Sequence, residues 1–206
     1  MTIQVSEKHR SARREFPNIM DIEASGFGNQ SYPIEIGVVA SSGARYCSLI
    51  RPEPEWTHWC KDAASVHCIP RRSLLLRGTP IRDVAAELNE FLKDATVYSD
   101  GWSHDKTWLI KLFYAANMPP TFRLSPIEAI TSDEQLAIWD DTKQVVAANM
   151  GLLRHRASSD ALMIQQTYLE TRRKLRDYQI LGNRRIEELK QRHAEKPILG
   201  YTSVAK

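Results

Sequence analysis

Apolar and polar positions alternate with a period of two in the first part of the chain and recur with a helical period further on, which divides the sequence into strands and helices. Residues 19–24 read as a strand, followed by a turn at "SGFGNQSYP" in which Gly26 and Gly28 supply backbone freedom. The runs "IEIGVVAS" (34–41) and "ARYCSLIRP" (44–52) follow as strands joined by a short Ser-Ser-Gly turn, the pattern of a hairpin. Segment 55–92 reads as helix in pieces, the clearest being "PIRDVAAELNEFLKD", where Ile81, Val84, Ala85, Leu88, Phe91 and Leu92 form one apolar stripe. "ATVYSD" (95–100) is a short strand and "HDKTWLIKLFYAAN" (104–117) an amphipathic helix with Ser103 as its expected cap. "TFRLSPI" is a candidate fifth strand. Helices are expected over 133–149 and from Ser158 to Arg176, with a charged helical tail broken at Gly182. The order β-β-β-α-β-α-β-α implies a mixed sheet with helices packed against it.

Composition changes this picture little. The chain has 206 residues, 42% hydrophobic and 26% charged, which suits one packed domain rather than a disordered or fibrous protein. The expected organisation is a polar segment over 1–16, a domain over 17–176 and a basic, helical tail over 177–206. The N-terminus has no apolar run of the signal-peptide kind, and no segment reads as a membrane span, so a chain that stays in the cytoplasm is expected. Cys47, Cys60 and Cys68 read as reduced, mostly buried thiols. With His58 and His67, Cys60 and Cys68 follow no recognised zinc spacing, and ordinary packing is the expectation for them.

Charge is more informative in its distribution than in its net value of +3. Nine Lys and Arg face four acids over 171–196, whereas the stretch 17–170 is net acidic. An acidic centre with basic flanks fits a nuclease, whose metal site is negative while its approaches attract phosphate.

The acids themselves form a pattern. Asp21 and Glu23 lie two apart in a strand and so project from one face, with Met20 and Ile22 on the other. Two partly buried carboxylates repel each other and lose hydration unless a cation compensates, and oxygen-only ligands favour the hard ions Mg²⁺ and Mn²⁺. In "VYSDGWSHDKTWLIKLF" a strand ends and a helix begins with Asp105 in its first turn, where a carboxylate is favoured. Asp100 is its rival; Asp105 is preferred because Trp108 and Leu109 follow at helical spacing. In "LLRHRASSDALMIQQ" His155 and Asp160 would lie about 140° apart on one helix, so they converge only if His155 occupies the preceding loop, with Ser158 and Ser159 as candidate caps.

"DIEASGF", "SHDKTWL" and "HRASSDA", in this order, resemble the three motifs of the DEDDh (DnaQ-like) 3′-to-5′ exonuclease family, and the similarity runs from about Ile19 to Leu169. Gly101 and His104 stand where the family commonly has Asn and Phe. The resemblance implies an α/β, ribonuclease-H-like fold, a mixed five-stranded sheet flanked by helices, here with a helical C-terminal extension. It implies that Asp21, Glu23, Asp105 and Asp160 hold two Mg²⁺ or Mn²⁺ ions with His155 as general base, imidazole being the side chain that accepts protons at neutral pH. By the same resemblance Ser25, Gly26, Phe27 and His67 contact the terminal nucleotide, Phe27 as an apolar wedge. The implied partner is the 3′ end of single-stranded DNA or RNA. The alternative is a nucleic-acid-binding scaffold that keeps the fold without turnover. The basic tail admits a merely soluble terminal helix, the usual meaning of such a charge run, or phosphate contact, a homodimer or a protein partner through its helix.

Overall fold

The computed structural model describes residues 16–151 and 154–194, the last eight of them as backbone only. Residues 1–15 of the expected polar segment and 195–206 of the expected tail lie outside the described residues. Five strands form one sheet: β1 (Asn18–Ala24), β2 (Pro33–Val39), β3 (Arg45–Leu49), β4 (Thr96–Ser99) and β5 (Arg123–Pro126). Their order is β3-β2-β1-β4-β5, antiparallel from β3 to β1 and parallel from β1 to β5. The sheet is mixed, as the alternation of hydrophobic positions implies.

Helices cover both faces. Segment 55–92 resolves into α1 (Lys61–His67), α2 (Arg71–Arg77) and α3 (Ile81–Phe91), followed later by α4 (Trp102–Ala115). The stripe of α3 and the apolar side of α4 (Leu109, Leu112, Phe113) pack with Met20, Ile22 and Ala24 in the larger core. The expected helix over 133–149 is two, α5 (Asp133–Ala137) and α6 (Trp139–Met150), preceded by a 3-10 turn at Ile127–Ala129. Then comes α7 (Ala157–Ala194), whose Ala161, Ile164 and Tyr168 pack with Ile19, Val39 and Trp139 in a second core. Even-numbered positions of β1 thus face α3 and α4, and odd-numbered ones face α7.

Three local expectations are corrected. α4 starts at Trp102 with Gly101 at its cap and no side-chain cap bond, so Ser103 lies in the first turn, where its carbonyl accepts from the Thr107 hydroxyl. α7 starts at Ala157, ahead of Ser158 and Ser159, because a carboxylate from β2, Glu35, takes the Ala157 amide at 3.0 Å. Finally, α7 passes through Gly182 without a break, and through the expected boundary at 176. One Gly costs a helix about 1 kcal/mol relative to Ala, too little to end it among good helix formers.

Gly37 fixes how α7 meets the sheet. A Cβ there would lie 2.3 Å from Ala157 C and Ser158 N, so only glycine allows the helix start to rest on β2. Gly37→Ala should therefore destabilise the protein by about 1–3 kcal/mol or more, read as a shift in the denaturant midpoint. Gly182 has no neighbour within 4 Å of an added Cβ, and Gly182→Ala should raise helical content in far-UV circular dichroism without loss of stability. The opposite ranking of the two variants would contradict this account of α7.

Candidate active site

The odd face of β1 carries Asp21 and Glu23 toward the start of α7. His155 lies in the loop ahead of α7 with φ +59°, a left-handed conformation uncommon outside glycine. It is held there by Asp160, whose Oδ2 accepts the His155 amide at 2.8 Å. Glu23, His155 and Asp160 each present a ligand atom, all within 4.8 Å of one another.

Asp105 arrives from a different direction. It lies in the first turn of α4, directly after β4, is almost fully buried, and accepts a hydrogen bond from the Ser99 hydroxyl. Ser99 in turn accepts the Gly101 amide at 3.0 Å, which shapes the turn between β4 and α4. Asp100 instead pairs with Lys143 of α6 at 2.5 Å. The two rivals of the second motif are therefore separated by their partners: Asp105 joins the acidic cluster, and Asp100 has a cation of its own.

The electrostatics follow from this crowding. Burial, then Asp105, Glu23, Asp160 and Asp100, push the Asp21 carboxyl well above the ordinary carboxylate range. Burial and Asp160 raise Glu23 to about 7, against a lowering by Arg156. Burial raises Asp105 to about 7 despite the Ser99 hydrogen bond, and burial raises Asp160 against the His155 amide. Such a cluster is a trap for cations, either protons or a divalent metal ion. An all-carboxylate oxygen set with one imidazole at its edge suits Mg²⁺ or Mn²⁺, so the residues present fit such an ion.

The expected substrate-binding residues fall into two groups. Ser25 is fully buried; its hydroxyl accepts the Tyr32 amide at 3.1 Å and pairs with His58 Nδ1 at 3.0 Å, so it shapes the loop from within. Gly26 has φ +147°, and a Cβ there would strike Cys60 Cβ at 2.6 Å, so it is required for the loop to close on that segment. Phe27, by contrast, is 70% exposed at the loop tip. Its ring meets His104 edge-on at 5.3 Å, and His104 stacks on Trp108 at 5.7 Å. His67 is buried at the end of α1; its Nδ1 accepts the Ile69 amide, and its Nε2 has no partner among the described residues. A buried, unpartnered imidazole N–H is costly unless a ligand meets it. His58, Cys60, His67 and Cys68 do not converge as a metal group among the described residues, and the thiols expected to be mostly buried are not: Cys47 and Cys68 are exposed and Cys60 is half-buried.

Several residues of this region carry no signal in the sequence. His104 braces Phe27 across a turn, Lys143 reaches Asp100 from α6, and Lys111 holds the loop through the Ser31 carbonyl at 2.6 Å. Only the place of His104 beside the second motif hinted at its position.

Solved structures share this fold. Exonuclease I of E. coli in complex with a dA16 oligonucleotide matches with a TM-score of 0.60 and 14% identity, over 78% of this chain and 42% of that one. The fold is that of exonuclease I. The zinc-bound form of the E. coli exonuclease I complex with single-stranded DNA gives a TM-score of 0.61 at 13% identity with the same coverage. Exonuclease I of Methylocaldum szegediense gives 0.57 at 11% identity, over 72% of this chain and 38% of that one. The chain thus spans about two fifths of the length of these exonuclease I structures. No model of a known protein family matches the sequence, and no curated protein matches it. Among the described residues no helix is long and apolar enough to cross a membrane.

The raised carboxyls give a pH signature. A carboxyl whose native pKa exceeds its unfolded value binds protons more tightly when folded, so its contribution to stability is full below about pH 4 and is lost as the pH climbs through about 7. The metal-free protein should lose stability between pH 5 and 8, and Asp21→Asn should flatten that loss. Saturating Mn²⁺ should restore stability at pH 8, because it binds the ionised native cluster. Denaturant midpoints at both pH values, with and without Mn²⁺, check this; a wild-type midpoint that is insensitive to Mn²⁺ contradicts it.

Proposed function

We propose that the chain is a metal-dependent 3′-to-5′ exonuclease that removes nucleotides from single-stranded DNA. The observation that carries this reading is the convergence of Glu23, His155 and Asp160 within 4.8 Å, beside an Asp21 carboxyl raised by burial and by the charges of Asp105, Glu23 and Asp160. DNA is preferred to RNA because the fold neighbours are described in complex with a dA16 oligonucleotide and with single-stranded DNA.

In this reading Asp21, Glu23, Asp105 and Asp160 hold two divalent ions, Mg²⁺ or Mn²⁺. When bound, such a pair supplies positive charge at the scissile phosphate and lowers the pKa of water. Phe27, braced by His104 and Trp108, offers a ring on which the terminal base stacks, a contact worth about 1–3 kcal/mol per base. The free Nε2 of His67 donates to an oxygen of that terminal nucleotide. His155 takes a proton from the attacking water. The oxygen of that water bonds to phosphorus while the bond from phosphorus to the 3′-oxygen of the preceding residue breaks. The leaving oxygen takes a proton from solvent, giving a nucleoside 5′-monophosphate and a strand with a new 3′-hydroxyl.

Beyond Thr171, α7 presents Arg176, Arg184 and Arg185 among the exposed side chains Tyr178, Ile180, Leu181 and Ile186. This outer half suits contact with the phosphates of a longer strand, or with a second protein or copy of the chain.

The test is purified protein with Mg²⁺ or Mn²⁺ against 5′-labelled single-stranded DNA, single-stranded RNA, duplex DNA and a dinucleotide. Single-stranded DNA should shorten stepwise from its 3′ end, and chelator should stop it. Asp21→Ala and Asp160→Ala should lower the rate by orders of magnitude, since each removes an anionic ligand. His155→Asn, which tolerates the left-handed backbone, should bind metal and substrate but turn over about 10²–10⁴-fold more slowly. Asp105→Asn should abolish turnover while Asp100→Asn leaves an active enzyme. Wild-type rates in both Asp21→Ala and Asp160→Ala would refute the proposal; activity lost in Asp100→Asn and kept in Asp105→Asn would exchange those two roles.

A further inference from the structure

Glu35 is a buried carboxylate, 1% exposed, that the reaction above does not use. It lies on β2 directly opposite Glu23 of β1 in the antiparallel register. Its Oε1 accepts Arg156 Nη2 at 2.5 Å, and its Oε2 accepts Arg156 Nε at 3.0 Å and the Ala157 amide at 3.0 Å. This forked pair with an added amide is a geometrically specific arrangement, since guanidinium and carboxylate match in plane and spacing. It grips the chain on the residue after His155 and on the first residue of α7, three before Asp160.

The surroundings have little freedom of their own. Gly37, two residues along β2, admits the backbone of Ala157 and Ser158 into contact. Arg45 Nη2 of β3 donates to the Ser158 carbonyl at 2.7 Å and to its hydroxyl at 2.6 Å. His155 keeps its left-handed φ, and Asp160 is tied back to the His155 amide. A small shift of the start of α7 therefore moves His155 and Asp160 together relative to β1.

We propose that Glu35 is a positioning residue, which through Arg156 and the Ala157 amide sets where His155 and Asp160 stand against Asp21 and Glu23. The inference rests on the exonuclease reading. Misplacement of a reacting group by about 1 Å can cost ~10²-fold in rate. Glu35→Gln keeps an acceptor for the Ala157 amide but loses the ion pair, and Arg156→Lys keeps the charge but loses the fork.

The experiment measures kcat, KM and Mn²⁺ affinity for the full chain and for Glu35→Gln, Arg156→Lys and Arg156→Leu, with folded fraction read from circular dichroism. Glu35→Gln should lower kcat per folded molecule by about 10–100-fold with KM near wild type, and weaken Mn²⁺ binding. Arg156→Lys should fall between the wild type and Arg156→Leu. Rates per folded molecule equal to wild type in Glu35→Gln and Arg156→Lys would overturn the proposal and leave Glu35 a purely structural residue. If Glu35→Gln does not fold, Arg156→Lys decides, because lysine keeps a cation for the buried Glu35 carboxylate and the Arg156 side chain is 41% exposed. If the wild type binds Mn²⁺ but cleaves nothing, the exonuclease reading fails; Mn²⁺ affinity then decides the positioning role alone, and equal affinity in the variants overturns it.

Discussion

Carboxylates brought together out of water repel one another, and the architecture of this chain is arranged around tolerating that repulsion at one end of β1. Asp21, Glu23, Asp105 and Asp160 come from one strand and two helix starts, and burial raises all four above their usual range. The cations nearby relieve them only in part: Arg156 lowers Glu23, and Arg154 lies 3.9 Å from Asp160, yet burial outweighs both. Arg156 is committed to Glu35, Lys143 to Asp100, and Lys111 to the carbonyls of the loop at Asn29 to Ser31. Excess negative charge in a place the fold takes trouble to build costs stability, and such a cost persists where function needs it.

The elements that deliver these acids are of different kinds, and each is fixed by a different device. β1 needs only its two-residue period to place Asp21 and Glu23 on the face toward α7. Asp105 depends on a tight turn after β4, held by Ser99. Asp160 depends on where α7 begins, and that is decided by β2, through the missing side chain of Gly37 and the carboxylate of Glu35. The hairpin of β1 and β2 therefore furnishes both the first two acids and the seat of the helix that brings the last.

This division explains what could be read from the sequence. Strand and helix periods report neighbours in the chain, so the β1 face, the apolar stripe of α3 and the loop position of His155 were legible. The start of α7 was not, because its cap comes from a residue 122 positions away, and Ser158 and Ser159 offered a local signal that long-range contact overrode. Ser103 failed for a related reason: the chain turns into α4 as soon as it leaves β4, before the serine is reached. Phe27 was singled out only through the resemblance, as an apolar wedge in a glycine turn, whereas its exposure and its contact with His104 required the two loops to be seen side by side. Gly182 illustrates the limit of a breaker signal, since one glycine is a small cost within a helix of 38 residues.

That length has a mechanical meaning. At 1.5 Å per residue, 38 residues make a rod of about 57 Å. Its first turn carries Asp160, and its outer half extends past the sheet with arginines and apolar side chains exposed. A straight helix transmits displacement along its axis better than a loop does. The site and the far end of α7 are therefore joined as two ends of one lever, with Gly37 and Glu35 at its pivot.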